Sequence, residues 1–243
     1  MINFFDFYFY KETNSTNDIL KEKRKYSKDR NLAVFSEYQK LGRGRSGNIW
    51  RSEKGDLTCS FLINKKISIS NLGRINLIIS NILIMVLNKL SNKTEFKFKW
   101  PNDIFIKSRK VSGILIENYL YKKNIESFIV GIGINCVSSP TIKKKPSISL
   151  RDLGLNSCPL NLFFQISNEI TNYFLRYEKI NYSILSKRLT KNFYKKKSKI
   201  FIKSNTKEIG GLFKEINSNG ELIIKSDDQT IHKFSYGEIL TWT

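Results

Sequence analysis

The residues best placed to do chemistry lie in one short segment, Leu41–Trp50, in which three glycines alternate with Arg43 and Arg45. Closely spaced glycines allow a ligand to approach the main chain. A guanidinium group can bind a phosphate or a carboxylate through two parallel hydrogen bonds. The segment therefore predicts a loop that grips an anionic ligand, although a flexible basic surface loop would have the same composition.

Other residues could complete a ligand pocket around this loop. Ser15 and Thr16 precede an apolar helical pattern, so they suit either a simple helix N-cap or a pocket lined by small hydrogen-bonding side chains. Gly131 and Gly133 lie at alternate positions of the predicted strand Phe128–Asn135 and face the same side of it. Such a bare face fits a flat ligand or a tight contact between a helix and the sheet.

Two further positions interrupt predicted strands. Asn102 and Asp103 follow Pro101 between two strand-like segments, where they would lie at the rim of one sheet or form a simple turn. Gly113, inside the predicted strand Lys110–Glu117, indicates a bulge or the close approach of a ligand.

Composition excludes several classes of protein. A chain of 243 residues with 40% hydrophobic residues is long and apolar enough to fold, and its net charge of +21 would attract anions. The lysines are scattered, however, so most of this charge is read as background. Cys59, Cys136 and Cys158 lack the spacing of a disulfide framework or a zinc site and fit a reducing cytoplasm. His232 is the only histidine, which argues against a catalytic triad. The apolar stretch Ile75–Leu90 is too short and polar to span a bilayer.

Hydrophobic periodicity predicts an α+β fold with a mixed central sheet flanked by helices. Helices are predicted at 72–90, 159–177 and 182–193, and Lys54-Gly55-Asp56 predicts a hairpin turn. Short strands after the basic stretch 194–199, with a hairpin signal at Asn219-Gly220, indicate a small β-barrel of SH3-like size. The predicted domains are residues 1–195 and 196–243. Lysines 143–145 are predicted to lie in a solvated loop.

Five motifs, taken in order, resemble those of the biotin–protein ligases. They are Ser15-Thr16-Asn17, Glu37-Tyr38-Gln39 with the glycine loop and Trp50, Lys99-Trp100-Pro101-Asn102-Asp103, Lys110–Glu117, and Gly131–Asn135. The resemblance covers most of the first 150 residues. It implies a class II synthetase-like catalytic domain followed by the small SH3-like barrel. Because only fourteen residues precede Ser15, it also implies the monofunctional form without an N-terminal DNA-binding domain.

The resemblance implies a two-step reaction. Biotin and ATP form biotinyl-5'-AMP and pyrophosphate, and the biotinyl group then passes to a lysine of a carrier protein. Lys110 and Arg45 would be catalytic. The implied biotin-binding residues are Ser15, Thr16, Asn17, Gln39, Arg43, Gly44, Arg45 and Lys110. The implied nucleotide-binding residues are Gly42, Arg43, Arg45, Trp50, Asn102, Asp103, Gly131, Gly133 and Asn135, with Trp50 stacked on adenine. Mg²⁺ would assist at the phosphates, although the sequence identifies no metal ligands.

The implied partner is the biotin carboxyl carrier protein of acetyl-CoA carboxylase, in the cytoplasm, with no DNA or membrane involved. An exposed sheet edge could pair with this carrier or with a second copy as a homodimer. The loop from Gly42 to Trp50 is expected to be poorly ordered without ligand. Asn48 stands where the bacterial repressor members of the family have another arginine. Leu41 stands where the family usually has a small residue before the first glycine. The alternatives are a lipoate ligase-like acyltransferase, which should lack the Gly-Arg-Gly-Arg loop, and a basic nucleic-acid-binding module, whose affinity would fall steeply with salt.

Overall fold

A computed structural model describes residues 4–27, 29–91, 95–122, 124–140, 146–196, 198–204 and 207–242. Within these ranges the chain forms a mixed eight-stranded sheet, an antiparallel five-stranded sheet and four α-helices. The helices are α1 (Thr16–Arg24), α2 (Leu72–Asn88), α3 (Pro159–Leu175) and α4 (Tyr182–Lys191). The strands of the larger sheet are β1 (Asp6–Tyr10), β2 (Leu32–Ser36), β3 (Leu57–Ile63), β4 (Ile67–Ser68), β5 (Lys97–Lys99), β6 (Asp103–Ile106), β7 (Arg109–Tyr121) and β8 (Asn124–Ile134).

The larger sheet has the order β1-β2-β3-β8-β7-β6-β5, and β4 pairs with β8 beside this path. β1 and β2 are parallel, whereas the other neighbouring strands are antiparallel. The predicted α+β class with a mixed central sheet is therefore confirmed. β7 and β8 form a long hairpin in the middle of the sheet, and this hairpin carries most of the glycines that the site uses.

Alternation along the central strands gives the sheet two different faces. Cys59 and Phe61 of β3, with Val130 and Ile132 of β8, point into the large core beneath α2 and α3. On the opposite face a smaller apolar cluster forms around Leu20 of α1. The intervening residues of β3 and β8 are small or polar and face α1, which leaves room for a site on that side.

Helix α2 is the central helix of the large core. Residues 69–88 are long and apolar enough to cross a membrane by length and composition alone. Ile75, Ile78, Ile79 and Ile82 have no solvent exposure in the fold, and the helix packs against α3 and α4. The predicted core stripe at 72–90 is confirmed, with the helix ending at Asn88.

Two of the predicted turns differ from the structure. Gly55 does adopt a positive φ of 97°. However, β3 pairs with β2 and β8, so the turn at 54–56 leads from a loop into β3 and is not the turn of a β-hairpin. The segment around Pro101 was expected to interrupt a strand that then resumes. Instead, the chain reverses there, because β5 and β6 pair antiparallel on either side of the cis Trp100–Pro101 peptide.

The smaller sheet follows α4. Its strands are β9 (Lys199–Ser204), β10 (Lys207–Ile216), β11 (Leu222–Lys225), β12 (Ile231–Phe234) and β13 (Glu238–Trp242), in the order β12-β11-β10-β9-β13. The predicted hairpin at Asn219-Gly220 is confirmed between β10 and β11, with Gly220 at φ 81°. Phe193 stacks on Phe213 with a centroid distance of 3.7 Å, so the sheet shares the large core. Lysines 143–145 lie outside the described residues.

Candidate active site

The candidate site lies on the α1 face of the sheet, across β3, β8, β7 and β6. Strand register places Thr58, Gly133, Gly113 and Asp103 side by side in one row. A second row, two residues earlier on β8, contains Ser60 and Gly131. Two residues of a strand span about 7 Å, so the rows at Gly133 and Gly131 are neighbours along β8. The side chains around the two rows differ in their chemistry.

The row at Gly131 carries a buried cluster of neutral polar side chains. Gln39 Oε1 accepts hydrogen bonds from the Thr16 backbone N–H at 2.8 Å and from Thr16 Oγ1 at 3.1 Å. Ser60 Oγ lies 2.7 Å from Thr16 Oγ1 and donates to Asn17 Oδ1 at 2.5 Å. All four side chains are buried. The cluster thus offers neutral donors and acceptors, which suit an uncharged polar group.

Glycine is required under this cluster. A Cβ atom at Gly131 would lie 2.4 Å from Asn17 Oδ1, so any side chain there would displace Asn17. Ser15 holds the start of α1 as its N-cap by accepting from the Asp18 N–H at 3.3 Å. The N-cap reading of this motif is therefore confirmed at Ser15. Thr16 and Asn17 lie in the buried polar cluster, and their role in binding a ligand stays a prediction.

The row at Gly133 carries the cationic region. Lys110 Nζ lies 2.6 Å from Asp103 Oδ1. Arg45 Nη1 donates to Asn102 Oδ1 at 3.2 Å, and Asn102 is fixed to β7 by its bond to the Ile114 carbonyl at 2.6 Å. Burial lowers the pKa of the Arg45 guanidinium, against the raising effect of the charges of Asp103 and Glu238. Asn102 and Asp103, which were predicted to lie at the rim of the sheet, therefore contact Arg45 and Lys110 on one side of the glycine loop.

Trp50 covers the glycine pair of this row. A Cβ atom at Gly133 would lie 2.2 Å from Trp50 Cε2, and one at Gly113 would lie 3.0 Å from Trp50 Cζ3. Lys110 Nζ lies 5.4 Å from the centroid of the indole. The prediction that Gly131 and Gly133 share a face is confirmed. The close neighbours of Gly113 are the side chains of Trp50 and Lys110, and the approach of a ligand there stays a prediction. The group that lies over Gly133 in this structure is the indole of Trp50 itself.

The glycine loop folds back on itself through backbone hydrogen bonds. The Trp50 N–H donates to the Gly42 carbonyl at 2.9 Å, and the Gly44 N–H donates to the Asn48 carbonyl at 2.7 Å. Between these bonds the chain turns through Ser46 at φ 52° and Gly47 at φ 73°. Asn48, the departure noted in the sequence, stabilises this turn by donating its side-chain amide to the Arg45 carbonyl at 2.9 Å.

Asn135 and the turn that follows it are fixed by buried hydrogen bonds. The Asn135 side-chain amide donates to the carbonyls of Lys110 and Ile148, at 3.3 Å in each case. Asp56 Oδ1 accepts from three consecutive backbone N–H groups, those of residues 136, 137 and 138, at 2.8–3.0 Å. Asp56, which sequence analysis placed only in a turn, therefore holds the end of β8 beside the site.

Two carboxylates that sequence analysis did not assign hold Arg43. Its guanidinium forms a two-pronged contact with Asp18, at 2.5 and 2.7 Å, and lies 3.7 Å from Glu117. The bond to Arg43 is the main reason that the pKa of Asp18 is lowered. Glu117 lies four residues after Gly113 on β7, and strand alternation from Gly113 would have placed it on the site face.

Within the described residues, no group of three or more His, Cys, Asp or Glu side chains is arranged to hold a metal ion. Asp103 is the carboxylate that lies within the cationic region. A site of this kind can supply one oxygen ligand to a Mg²⁺ ion whose other ligands come from phosphate and water.

The fold and site define an α+β domain in which a buried neutral polar cluster lies beside a cationic region on one face of a mixed sheet. The sequence model of the biotin/lipoate A/B protein ligase family matches residues 9–135, slightly more than half of the chain. The chain therefore belongs to the biotin/lipoate A/B protein ligase family, and the resemblance seen in its motifs is confirmed.

Known relatives agree with this assignment. The bifunctional ligase/repressor BirA of Escherichia coli is 28% identical over 213 residues, which cover 80% of this chain and 62% of BirA. The biotin–[acetyl-CoA-carboxylase] ligase of Paracoccus denitrificans is 26% identical over 108 residues, which cover 44% of this chain and 45% of that protein. The chain thus spans less than two thirds of the length of BirA.

The solved structures show the same fold. The biotin protein ligase from Aquifex aeolicus, in complex with biotin and ATP, superposes with a TM-score of 0.81 at 24% identity. The superposition covers 97% of each chain, so both sheets of the present structure belong to the shared fold.

Proposed function

We propose that the protein is a biotin–protein ligase. The observation that carries this proposal is the adjacency of two regions on one strand: a neutral pocket at Gly131, formed by Thr16, Asn17 and Gln39, and a cationic region at Gly133. A ureido ring needs neutral donors and acceptors, whereas a carboxylate and a triphosphate brought together need fixed cations. The spacing of the two regions suits one intermediate that joins both groups.

The first proposed step forms biotinyl-5'-AMP. A biotin carboxylate oxygen attacks the α-phosphorus of ATP, and the bond to the departing pyrophosphate breaks. Arg45 and Lys110 offset the negative charge that accumulates in this step, because both lie beside Asn102 and Asp103 above the glycine pair. Mg²⁺, held through Asp103, would neutralise part of the phosphate charge.

The second proposed step transfers biotin. A carrier lysine, once deprotonated, attacks the biotinyl carbonyl with its Nζ, and AMP leaves with the electrons of the acyl–oxygen bond. Trp50 would stack on the adenine, which would lie above Gly133 and beside Asn135. Gly42, Arg43 and Gly44 would cover the intermediate and limit its hydrolysis.

We extend the proposal to the partner and the setting. The acceptor is the biotin carboxyl carrier protein of acetyl-CoA carboxylase, and the three free cysteines fit a reducing cytoplasm. β1 pairs with β2 on one side, and its other edge could receive the carrier or a second copy. The proposed domains are residues 1–195 and 196–243, and the second would be an SH3-like barrel. We do not propose DNA as a partner.

The decisive experiment supplies labelled biotin, ATP and a carrier domain and measures labelled carrier and pyrophosphate. Lys110→Ala and Arg45→Ala should each slow pyrophosphate release about 100-fold, as removal of one charge-stabilising donor does elsewhere. Arg109→Ala is the matched control, because Arg109 precedes Lys110 on β7 and is exposed. Wild-type rates of pyrophosphate release in both site variants would refute the proposed roles.

The loop prediction needs a separate measurement. Amide exchange across residues 42–50 should slow when biotin and ATP are added together. Equal exchange with and without them would contradict closure of the loop over the intermediate.

A further inference from the structure

One carboxylate joins the neutral pocket to the glycine loop. Glu117 Oε2 accepts a hydrogen bond from Asn17 Nδ2 at 2.6 Å. Its other oxygen, Oε1, lies 3.7 Å from Arg43 Nη2. The two oxygens of Glu117 therefore face two different parts of the site, the pocket amide on one side and a loop guanidinium on the other.

A second carboxylate ties the same arginine to helix α1. Asp18 follows Asn17 in the first turn of α1 and binds both terminal nitrogens of Arg43, at 2.5 and 2.7 Å. A two-pronged contact of this kind fixes the orientation of a guanidinium as well as its position. The loop therefore cannot carry Arg43 away from the sheet without breaking its contact with α1.

These contacts complete a continuous network that starts and ends next to the loop. Gln39, just before the loop, binds Thr16, and Thr16 is linked through Ser60 to Asn17. Asn17 is linked through Glu117 to Arg43, inside the loop. Both the entry to the loop and its first arginine are thus held by the residues that line the neutral pocket.

We propose that Asp18 and Glu117 are positioning residues that hold Arg43 as the clasp of the glycine loop, and that Glu117 couples occupancy of the Asn17 pocket to closure of that loop. This inference rests on the proposed function. Arg43 then acts mainly on loop closure, whereas Arg45 and Lys110 supply the charge at the phosphates.

The contacts of Arg43 with Asp18 and Glu117 are expected to shift the equilibrium of loop closure only modestly. The side chains of Arg43, Asp18 and Glu117 retain 41%, 45% and 36% exposure, so solvent weakens their attraction. Exposed ion pairs of good geometry change an equilibrium by a factor of about two to five. Added salt should weaken the clasp further, because exposed charges are screened.

The first test measures escape of the intermediate. With biotin and ATP but no acceptor, AMP formed after the first turnover reports release and hydrolysis of biotinyl-5'-AMP. Asp18→Asn should raise this leak about two- to fivefold, while the first-turnover pyrophosphate burst at saturating substrates keeps its wild-type rate. Raising salt from about 0.05 M to about 0.5 M should increase the wild-type leak and leave that of Asp18→Asn nearly unchanged.

The control is Glu22→Gln, which removes another exposed ion pair of α1, that with Lys25, and should leak like the wild type. A normal burst with an unchanged leak in Asp18→Asn would overturn this inference alone. Absence of any burst from the wild type would overturn the proposed function on which it rests.

The second test separates the two carboxylates by titrating biotin in the absence of ATP. Glu117→Gln should weaken biotin binding about tenfold and should raise the leak as well, because the amide keeps one acceptor oxygen and can no longer present an oxygen to Asn17 and another to Arg43. Asp18→Asn should change biotin affinity less than twofold. Wild-type biotin affinity in Glu117→Gln would overturn the proposed coupling.

Discussion

Replacing Asp56 should destabilise the protein more than any exposed carboxylate does. Its side chain is 2% exposed and accepts from the N–H groups of residues 136, 137 and 138 through Oδ1 and from that of Glu53 through Oδ2. Asp56→Ala would leave these four donors without their acceptor. Each such loss costs about 1–3 kcal/mol when the group is buried, and water entering the space left by the carboxylate would recover part of it. We therefore expect a loss of about 4–6 kcal/mol.

Asp56→Asn should cost about 2–3 kcal/mol, because it keeps one oxygen for the three consecutive donors and presents an amide to the Glu53 N–H. Urea unfolding followed by circular dichroism would measure both values. Asp152→Asn is the control, since Asp152 is an exposed residue that accepts from the Ser149 N–H at 3.0 Å, and it should cost about 1 kcal/mol or less. A loss below about 1 kcal/mol in Asp56→Ala would refute the reasoning.

Three further outcomes can be measured on the same protein. Gly133→Ala should displace the Trp50 indole, since the added Cβ would lie 2.2 Å from it. The variant should therefore show altered tryptophan fluorescence and a raised KM for ATP. Gly113→Ala should show smaller changes in both, because its added Cβ would lie 3.0 Å from the nearest indole atom. A thiol reagent should label Cys158 in the native protein and the two buried cysteines only after unfolding. Burial raises the pKa of the Cys136 thiol from its ordinary value to about 11. The stability that the neutral thiol contributes should therefore be complete below about pH 9, where the unfolded chain also keeps this proton, and should be lost as the pH rises from about 9 to about 11. Denaturation at pH 8 and pH 11, with Cys136→Ser for comparison, would measure this loss.

Local patterns were sufficient for most elements of the fold. The apolar stripe of α2, the N-cap at Ser15 and the shared face of Gly131 and Gly133 all follow from periodicity or turn chemistry within a few residues. The reversal at Pro101 was missed because strand propensity on both sides of a break does not reveal whether the chain continues or folds back. The turn at residue 55 was recognised, but which strand pairs with β3 depends on segments far away in the sequence.

Sequence analysis predicted individual residues of the site but not the contacts that join them. Residue types and spacing pointed to Arg45 in the glycine loop, and the resemblance to the biotin–protein ligases implied Lys110 and Asn17. Glu117 and Asp18 were not assigned, because a carboxylate on a strand or in a first helical turn has ordinary explanations. Their contacts with Arg43 join positions up to 74 residues apart (117 − 43), and no local pattern reports such a distance.

The indole of Trp50 on the glycine pair has a consequence for affinity. In the proposed reaction adenine must reach the surface above Gly133 that this ring already covers, so the protein competes with its own substrate. A tethered ring is present at a high effective concentration, and the apparent dissociation constant for ATP equals the intrinsic value divided by the fraction of molecules whose surface is uncovered. Trp50 would therefore weaken ATP binding before adenine arrives and strengthen it afterwards, and the measured affinity would report only the difference between these two opposing effects.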